Sequence, residues 1–355
     1  MAAPAAGTLL NNRYRLQRLL GEGGMGTVWL AHDESADNSE VALKLLGATV
    51  SEVERRRFER EIRTLRELDH PHIVPFRDLG WSDDRFFYAM DYISDVSLET
   101  VLEKFPDGLD RFLALSLEIL SALAYLHDLR LVHRDVKPSN ILISSTHPPD
   151  LTDSDRWLTS DRISAHLADF GLVKASEAEG ALTRSVLGTP RYLAPEQIES
   201  PAAVDERSDL FSFGVLLYRA ISGRLPFARL GDVLSADGPR ALHELRPEIP
   251  EALSEIVAGL LRREPHRRPS DAREVMAMIE ALRESTPAEP LAVRVARRPQ
   301  PAFTGRAVEV GTLLASARKA ARGDGRWVAI RGERGIGKTW LVSRSELRTR
   351  ALVEE

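Results

Sequence analysis

Apolar residues come first in short runs and later in long, helically spaced sets. Val, Phe, Tyr and Leu gather around turn residues at 14–20, 27–32, 40–45 and 86–92, the composition of β-strands. One helix is predicted to interrupt this sheet. It starts at Ser51, where Ser51 and Glu54 have the spacing of a capping box ahead of Phe58, Ile62 and Leu65. Farther on, Leu113, Leu117, Leu120 and Ala124 share one helical face, and 211–220 is apolar nearly all round, as in a buried helix. The pattern predicts an α+β chain with a sheet-rich lobe followed by a helical lobe. After Arg283 the text changes: Pro287, Pro290, Pro299 and Pro301 forbid a long helix, and 284–301 reads as a linker. Beyond it, 326–332 reads as a strand and 339–352 as a helix.

Composition narrows the class without naming a function. With 355 residues, 43% of them hydrophobic and 28% charged, the chain has room for two or three ordinary globular domains. Lys and Arg total 48 against 53 Asp and Glu, so no basic footprint argues for nucleic acid as the main partner. No cysteine is present, which excludes disulfides, thiolate metal sites and a cysteine nucleophile, and suits a cytoplasmic setting. The first fifteen residues lack the charged-then-apolar layout of a signal peptide. No apolar run approaches the roughly 20 residues a membrane-spanning helix needs.

Two glycine-rich stretches are candidates for handling phosphate. In GEGGMG, residues 21–26, Gly21, Gly23 and Gly26 fit G-x-G-x-x-G, a weak signal alone. A strand precedes it and another follows, where a dinucleotide fold would need a helix, so the stretch reads as a hairpin lid over phosphates. Lys44 closes the run Val41-Ala42-Leu43-Lys44. It is either a surface lysine or, paired with Glu61 of the next helix, a ligand for α- and β-phosphates. The strongest stretch is His133-Arg134-Asp135-Val136-Lys137-Pro138-Ser139-Asn140, followed by Asp169-Phe170-Gly171. Phosphoryl transfer needs a carboxylate to orient the incoming hydroxyl and cations to neutralise the phosphate oxygens. Asp135 suits the first task, Lys137 the transferred phosphate, and Asn140 and Asp169 the oxygen coordination that Mg2+ prefers, with Mn2+ as a substitute.

These segments occur in one order with GTPRYLAPE at 188–196, SDLFSFG at 208–214 and Arg268 in HRRP. Over about residues 14–283 the chain resembles the bacterial eukaryotic-like Ser/Thr protein kinases. That resemblance implies a bilobal kinase fold, ATP and Mg2+ as cofactors, and protein substrates phosphorylated on Ser or Thr. The ATP site it implies comprises Gly21, Glu22, Gly23, Gly24, Met25, Gly26, Val28, Ala42, Lys44, Met90, Asp91, Ile93 and Leu142, with Met90 beside the adenine and Asp91 and Ile93 offering backbone hydrogen bonds. Asp135, Lys137, Lys44 and Glu61 are the implied catalytic set, and Asn140 and Asp169 the metal ligands. Asp209 would anchor the catalytic loop and Glu196 would pair with Arg268. Arg134 marks kinases whose activation loop is ordered by phosphate, with Thr183 and Ser185 the candidate autophosphorylation sites and a dimer one vehicle for it. A scaffold that keeps the fold without the transfer is the alternative, against which the presence of Lys44, Asp135, Asn140 and Asp169 argues.

Two features depart from the pattern. A polar insertion lies at 144–166, carrying Trp157 and Leu158, and Val96 and Ser97 stand where relatives often carry glycine and an acid, which puts the ribose contact in doubt. The second glycine stretch, GERGIGKT at 332–339, has the P-loop spacing through Gly332, Gly337, Lys338 and Thr339. Only sixteen residues follow it. Residues 302–355 resemble the opening of AAA- or STAND-type ATPase modules, and the expectation is an incomplete domain of a larger kinase–ATPase protein whose loop binds nucleotide weakly at most. The expected organisation is a tail at 1–13, a kinase domain at 14–283, the linker, and this fragment.

Overall fold

The computed structural model describes residues 4–23, 26–46, 66–82, 85–94, 96–104, 109–145, 163–169, 190–235 and 238–285. The chain divides into two units, Met1–Thr286 and Pro287–Glu355, and the second lies outside the described residues with the expected P-loop strand, Gly332, Gly337, Lys338 and Thr339. Also outside them are the helix expected from Ser51, with Glu61, as well as Gly24, Met25, Trp157, Leu158, Phe170, Gly171, Thr183, Ser185 and Thr189.

Six antiparallel strands form the first lobe: β1 (Leu9–Leu10), β2 (Tyr14–Gly23), β3 (Gly26–Asp33), β4 (Ser39–Leu46), β5 (Phe76–Ser82) and β6 (Arg85–Asp91). Their order in the sheet is β1-β2-β3-β4-β6-β5. The four expected strands coincide with β2, β3, β4 and β6 to within three residues at each end. The edge strands β1 and β5 were not expected, for a physical reason: β1 is two residues long, and no residue of β5 is fully buried. An edge strand carries little of the apolar pattern that marks a central one. Register shifts between Leu16 and Arg18 and between Leu19 and Gly21 break the β2–β3 ladder, and such irregularities sharpen the local twist of a sheet.

The period-two alternation of a strand gives this sheet two apolar faces. On one, Val41, Leu43 and Leu45 of β4 pack with Phe87 and Ala89 of β6, Trp29 and Ala31 of β3, and Tyr14 and Leu16 of β2. The residues between them, Ala42 on β4 and Tyr88 and Met90 on β6, belong to a second cluster with Val74 and Ala168. Lys44 has the same parity as Ala42 and is registered opposite Tyr88.

Helices build the second lobe: α1 (Leu98–Lys104), α2 (Leu109–Asp128), α3 (Pro195–Glu199), α4 (Glu206–Ser222), α5 (Glu251–Leu260) and α6 (Ala272–Ser285), with a hairpin of β7 (Ile141–Ser145) and β8 (Ile163–Leu167) after α2. Helix α4 starts where the Asp205 side chain accepts from the Arg207 N–H at 2.9 Å. It stops at Gly223, whose φ of 71° lets its N–H cap the Arg219 carbonyl. Between these caps the helix is buried on nearly all sides, as its sequence predicts. Phe211, Phe213, Leu216 and Leu217 are each no more than 1% exposed, and burial of each such side chain contributes about 1.5–3 kcal/mol. Gly214 lets α5 approach closely, since a Cβ there would lie 2.7 Å from the Leu260 Cβ. Among the described residues no helix is long and apolar enough to cross a membrane.

The β7–β8 hairpin is stitched to the segments that lead into and out of the sheet. Leu167 donates to the His72 carbonyl and accepts from the Val74 N–H, and the Ile143 N–H bonds the Val96 carbonyl. These ties carry the chain from β8 directly to Ala168 and Asp169 beneath the second face of the sheet.

Candidate active site

The loop between α2 and β7 holds His133 to Asn140, and a buried carboxylate fixes its entry. Asp209, fully buried in the first turn of α4, accepts the backbone N–H groups of His133 and Arg134 at 2.8 Å each and faces His127 Nε2 at 3.0 Å. Two backbone donors on one carboxylate set the direction in which the loop leaves α2. Arg134 has a φ of 66°, in the left-handed region, which costs a non-glycine residue about 1–2 kcal/mol. Its N–H bond to Asp209 offsets that cost.

His133 is buried, and burial pushes its imidazole below the usual range. The neutral ring is assigned as the Nε2–H tautomer, because Nε2 faces the Ala168 carbonyl at 3.1 Å while Nδ1 accepts from the Asp135 N–H at 3.3 Å. One histidine therefore ties the loop at Asp135 to the strand end that precedes Asp169.

The polar groups form a continuous chain of contacts. Lys137 Nζ donates to Asp135 Oδ2 at 2.9 Å, and Asn140 Nδ2 donates to the same oxygen at 3.0 Å and to the Asp135 carbonyl at 2.9 Å. The Asn140 amide nitrogen also reaches the Asp169 carbonyl at 3.5 Å. On the other side Asp169 Oδ2 pairs with Lys44 Nζ at 2.8 Å, and Asp169 Oδ1 accepts from the Tyr88 hydroxyl at 2.9 Å. Asp169 has a φ of 57°, an uncommon conformation for a non-glycine residue and one that functional sites favour. Lys44 and Lys137, 93 positions apart at the ends of this chain of contacts, are thus joined through three residues. The structure brings Lys44, Asp135, Lys137, Asn140 and Asp169 into one place.

With its amide nitrogen turned to Asp135, Asn140 leaves its oxygen as the atom a cation would take. That oxygen and the Asp169 carboxylate are hard donors that fit Mg2+. Among the described residues no group of three His, Cys, Asp or Glu side chains makes a cage of its own. A donor set this small suits an ion that completes its shell with phosphate oxygens and water.

The apolar residues of the expected nucleotide site are assembled too. Ala42 and Met90 are buried, and Val28, Ile93 and Leu142 pack against them half-buried. The Asp91 N–H is used by the Pro75 carbonyl at 2.9 Å, and its carboxylate is paired with Arg77. What Asp91 can offer a nucleotide is its carbonyl. Gly21 and Gly23 of β2 pair with Val28 and Gly26 of β3, with Glu22 opposite Thr27. Of the described glycines in this hairpin Gly26 is the constrained one: its φ is 135°, and a Cβ would lie 1.9 Å from the Leu45 carbonyl oxygen. Any other residue there would push β3 off β4.

Sequence reasoning missed Tyr88, Leu20, Val74 and Ala168 in this cluster. Tyr88 matters most. Burial holds its phenol far above the usual range, so its hydroxyl remains a donor to Asp169. The available signal was parity, since Tyr88 lies two residues before Met90, but its contact with Asp169 depends on strand register.

Glu196 of α3 and Arg268 are joined away from this chain of contacts. Arg268 Nη1 and Nη2 donate to the two Glu196 oxygens at 2.6 and 2.9 Å, and the Ser208 hydroxyl donates to Glu196 Oε1 at 2.6 Å. The Gln197 side chain of the same helix bonds the Arg134 carbonyl at 2.9 Å.

The family profile described as protein kinase domain matches residues 14–279. The DNA damage-responsive serine/threonine-protein kinase RqkA of Deinococcus radiodurans is 39% identical over 277 residues, 74% of this chain and 38% of its own. Serine/threonine-protein kinase pkn2 of Myxococcus xanthus is 37% identical over 78% of this chain and 33% of its own. For PrkC of Bacillus subtilis the identity is 33%, over 77% and 41%. The chain thus spans between a third and about two fifths of the length of these curated relatives. Among solved structures, the Mycobacterium tuberculosis PknI kinase domain matches with a TM-score of 0.59 at 28% identity, covering 79% of this chain and 99% of that one.

Proposed function

The chain belongs to the protein kinase domain family, and from that premise we propose that it transfers the γ-phosphoryl group of ATP to Ser and Thr hydroxyls of proteins. The observation that carries this reading is the unbroken series of contacts from Lys137 through Asp135, Asn140 and Asp169 to Lys44. Its donors are of the kind that phosphoryl transfer needs, and they adjoin an apolar cluster suited to a purine.

In the proposed reaction the substrate hydroxyl oxygen attacks the γ-phosphorus, the bond from that phosphorus to the β–γ bridging oxygen breaks, and ADP leaves. Asp135 orients the hydroxyl and takes its proton. Lys137, held on Asp135, faces the charge that builds on the transferred group. Lys44 holds the α- and β-phosphates, and Glu61 is assigned to support it. Asn140 and Asp169 would hold Mg2+, which when bound neutralises phosphate charge. The carbonyl of Asp91 and the N–H of Ile93 are assigned to the adenine, and the hairpin of Gly21, Glu22, Gly23, Gly24, Met25 and Gly26 to the phosphates. The proposal extends to autophosphorylation at Thr183 or Ser185, for which a dimer would serve, to a cytoplasmic site of action, and to a kinase domain at 14–283 linked through 284–301 to an ATPase-like segment at 302–355.

The test is transfer from labelled ATP with Mg2+ by the full chain and by Asp135→Asn. Loss of a general base removes roughly a hundredfold to ten-thousandfold in rate, and a loss in that range is expected. Equal labelling by both proteins would refute the assignment of Asp135, and no labelling by the parent would favour the scaffold reading.

A further inference from the structure

A cavity of ≈ 490 Å³ lies beside the catalytic loop, lined among others by Glu99, Lys137, Ser139, Arg191, Tyr192 and Arg219. Lys137 belongs to it and to the site already described, since its Nζ rests on Asp135 Oδ2. The cavity therefore borders the position proposed for the acceptor hydroxyl. Among its described lining residues are three cations and one carboxylate, Glu99, and with Lys137 resting on Asp135 and Arg219 on Glu99 it is Arg191 that leaves the charge positive.

That carboxylate is already committed. Glu99 of α1 meets Arg219 of α4 through both of its oxygens, one at 2.9 Å, and Arg219 also donates to the Tyr192 hydroxyl at 2.6 Å. Burial pushes the Tyr192 phenol above its usual range, so it stays neutral and adds no negative charge. Arg191 stands exposed in the turn Pro190–Tyr192. A substrate lysine or arginine entering here would find Glu99, the one carboxylate among the described lining residues, held by Arg219, and the exposed cation Arg191 beside it. A substrate aspartate or glutamate would find a planar guanidinium able to take it through two hydrogen bonds.

Resting on the kinase reading, we propose that this cavity is a specificity subsite that takes an acidic side chain of the substrate polypeptide near the accepting Ser or Thr, with Arg191 as its anion-binding group and Arg219 keeping Glu99 occupied. The subsite selects twice over, by attracting acidic sequences and by repelling basic ones. It adds no chemical step, and its contribution falls as salt screens the exposed guanidinium of Arg191.

The experiment uses the full chain and two peptides that share one Ser acceptor, flanked by Glu in one and Lys in the other, together with the same peptides carrying Ala for Ser. The expected ratio of kcat/KM, acidic over basic, is about tenfold or more at low salt. In Arg191→Glu that ratio falls at least about fivefold, and Arg219→Gln lowers it in the same direction. Each ratio compares two peptides on one protein sample, so partial unfolding cancels from it. A ratio near one in the parent, or one unchanged in both variants, overturns the proposal. Fluorescence anisotropy with the Ala peptides separates the two readings. Preferential binding of the acidic Ala peptide without any transfer to Ser keeps the subsite and removes the kinase reading. Transfer without charge preference does the reverse.

Discussion

Arg268 and Lys44 are both cations paired with a carboxylate, and their surroundings differ in one respect. All five N–H groups of Arg268 have protein acceptors: the two oxygens of Glu196 and the carbonyls of Arg207, Arg262 and Arg263. Its side chain is 0% exposed and its guanidinium lies 4.8 Å from the centre of the Phe211 ring. Lys44 has three N–H groups, and among the described residues its ion-pair partner is Asp169, with the Tyr88 ring 5.9 Å away. A buried cation with every donor used can only hold structure together. One with donors to spare at the edge of a cleft can bind something that arrives.

The sharpest way to break this contrast is to remove each cation in turn. Lys44→Met is expected to lower transfer by about a thousandfold, while its urea midpoint stays close to that of the parent. Arg268→Ala is expected to do the opposite. Leaving Glu196 without its partner costs about 3–5 kcal/mol of stability, visible as a lower urea midpoint, with the activity of the remaining folded protein within about tenfold of normal. If Lys44→Met unfolded the chain and Arg268→Ala affected only turnover, the two roles would have to be exchanged.

Tyr88 sharpens the contrast at intermediate scale. Tyr88→Phe keeps the ring in the apolar cluster and removes only the donor to Asp169. A lost hydrogen bond to a charged group is worth about 1.5–3 kcal/mol. If Tyr88 positions Asp169, kcat falls by roughly ten- to a hundredfold, KM for ATP moves less, and the thermal midpoint barely changes. A purely structural tyrosine would give a lower midpoint and an unaltered kcat.

The smallest effect concerns pH. Burial is the first cause that lowers His70, His133 and His166 below their usual value of 6.5. Between the folded value and 6.5 the unfolded chain binds more protons than the folded one, so the stability these rings contribute is full above about pH 6.5 and declines as pH falls toward their folded values. Urea midpoints taken in steps below pH 6.5 check the slope, and the imidazole NMR signals of His133 are expected to titrate below 6.5. A His133 ring that titrates at or above 6.5 would contradict the tautomer assigned above.

Much of the site was legible because its chemistry sits in short contiguous runs. Asp135, Lys137 and Asn140 lie within six residues, and local spacing alone proposes their cooperation. Lys44 with Asp169 was legible only as a resemblance, since they are 125 positions apart and meet because β8 leads out beneath β4. The edge strands β1 and β5 stayed hidden because half-buried positions carry little apolar signal, and Tyr88 stayed hidden because parity along a strand does not say what the chain passes on the facing side.

The sequence by itself determined the four central strands, the buried helix α4 and the identity of the chemical groups, because strand composition and helical spacing act over a few residues. Only the tertiary structure decided which groups touch: that Asp209 ties down His133 and Arg134, that Tyr88 and Lys44 share Asp169, and that Arg219 occupies Glu99 beside Lys137. Contacts between residues far apart in the chain depend on strand register and helix packing, which the whole core sets together.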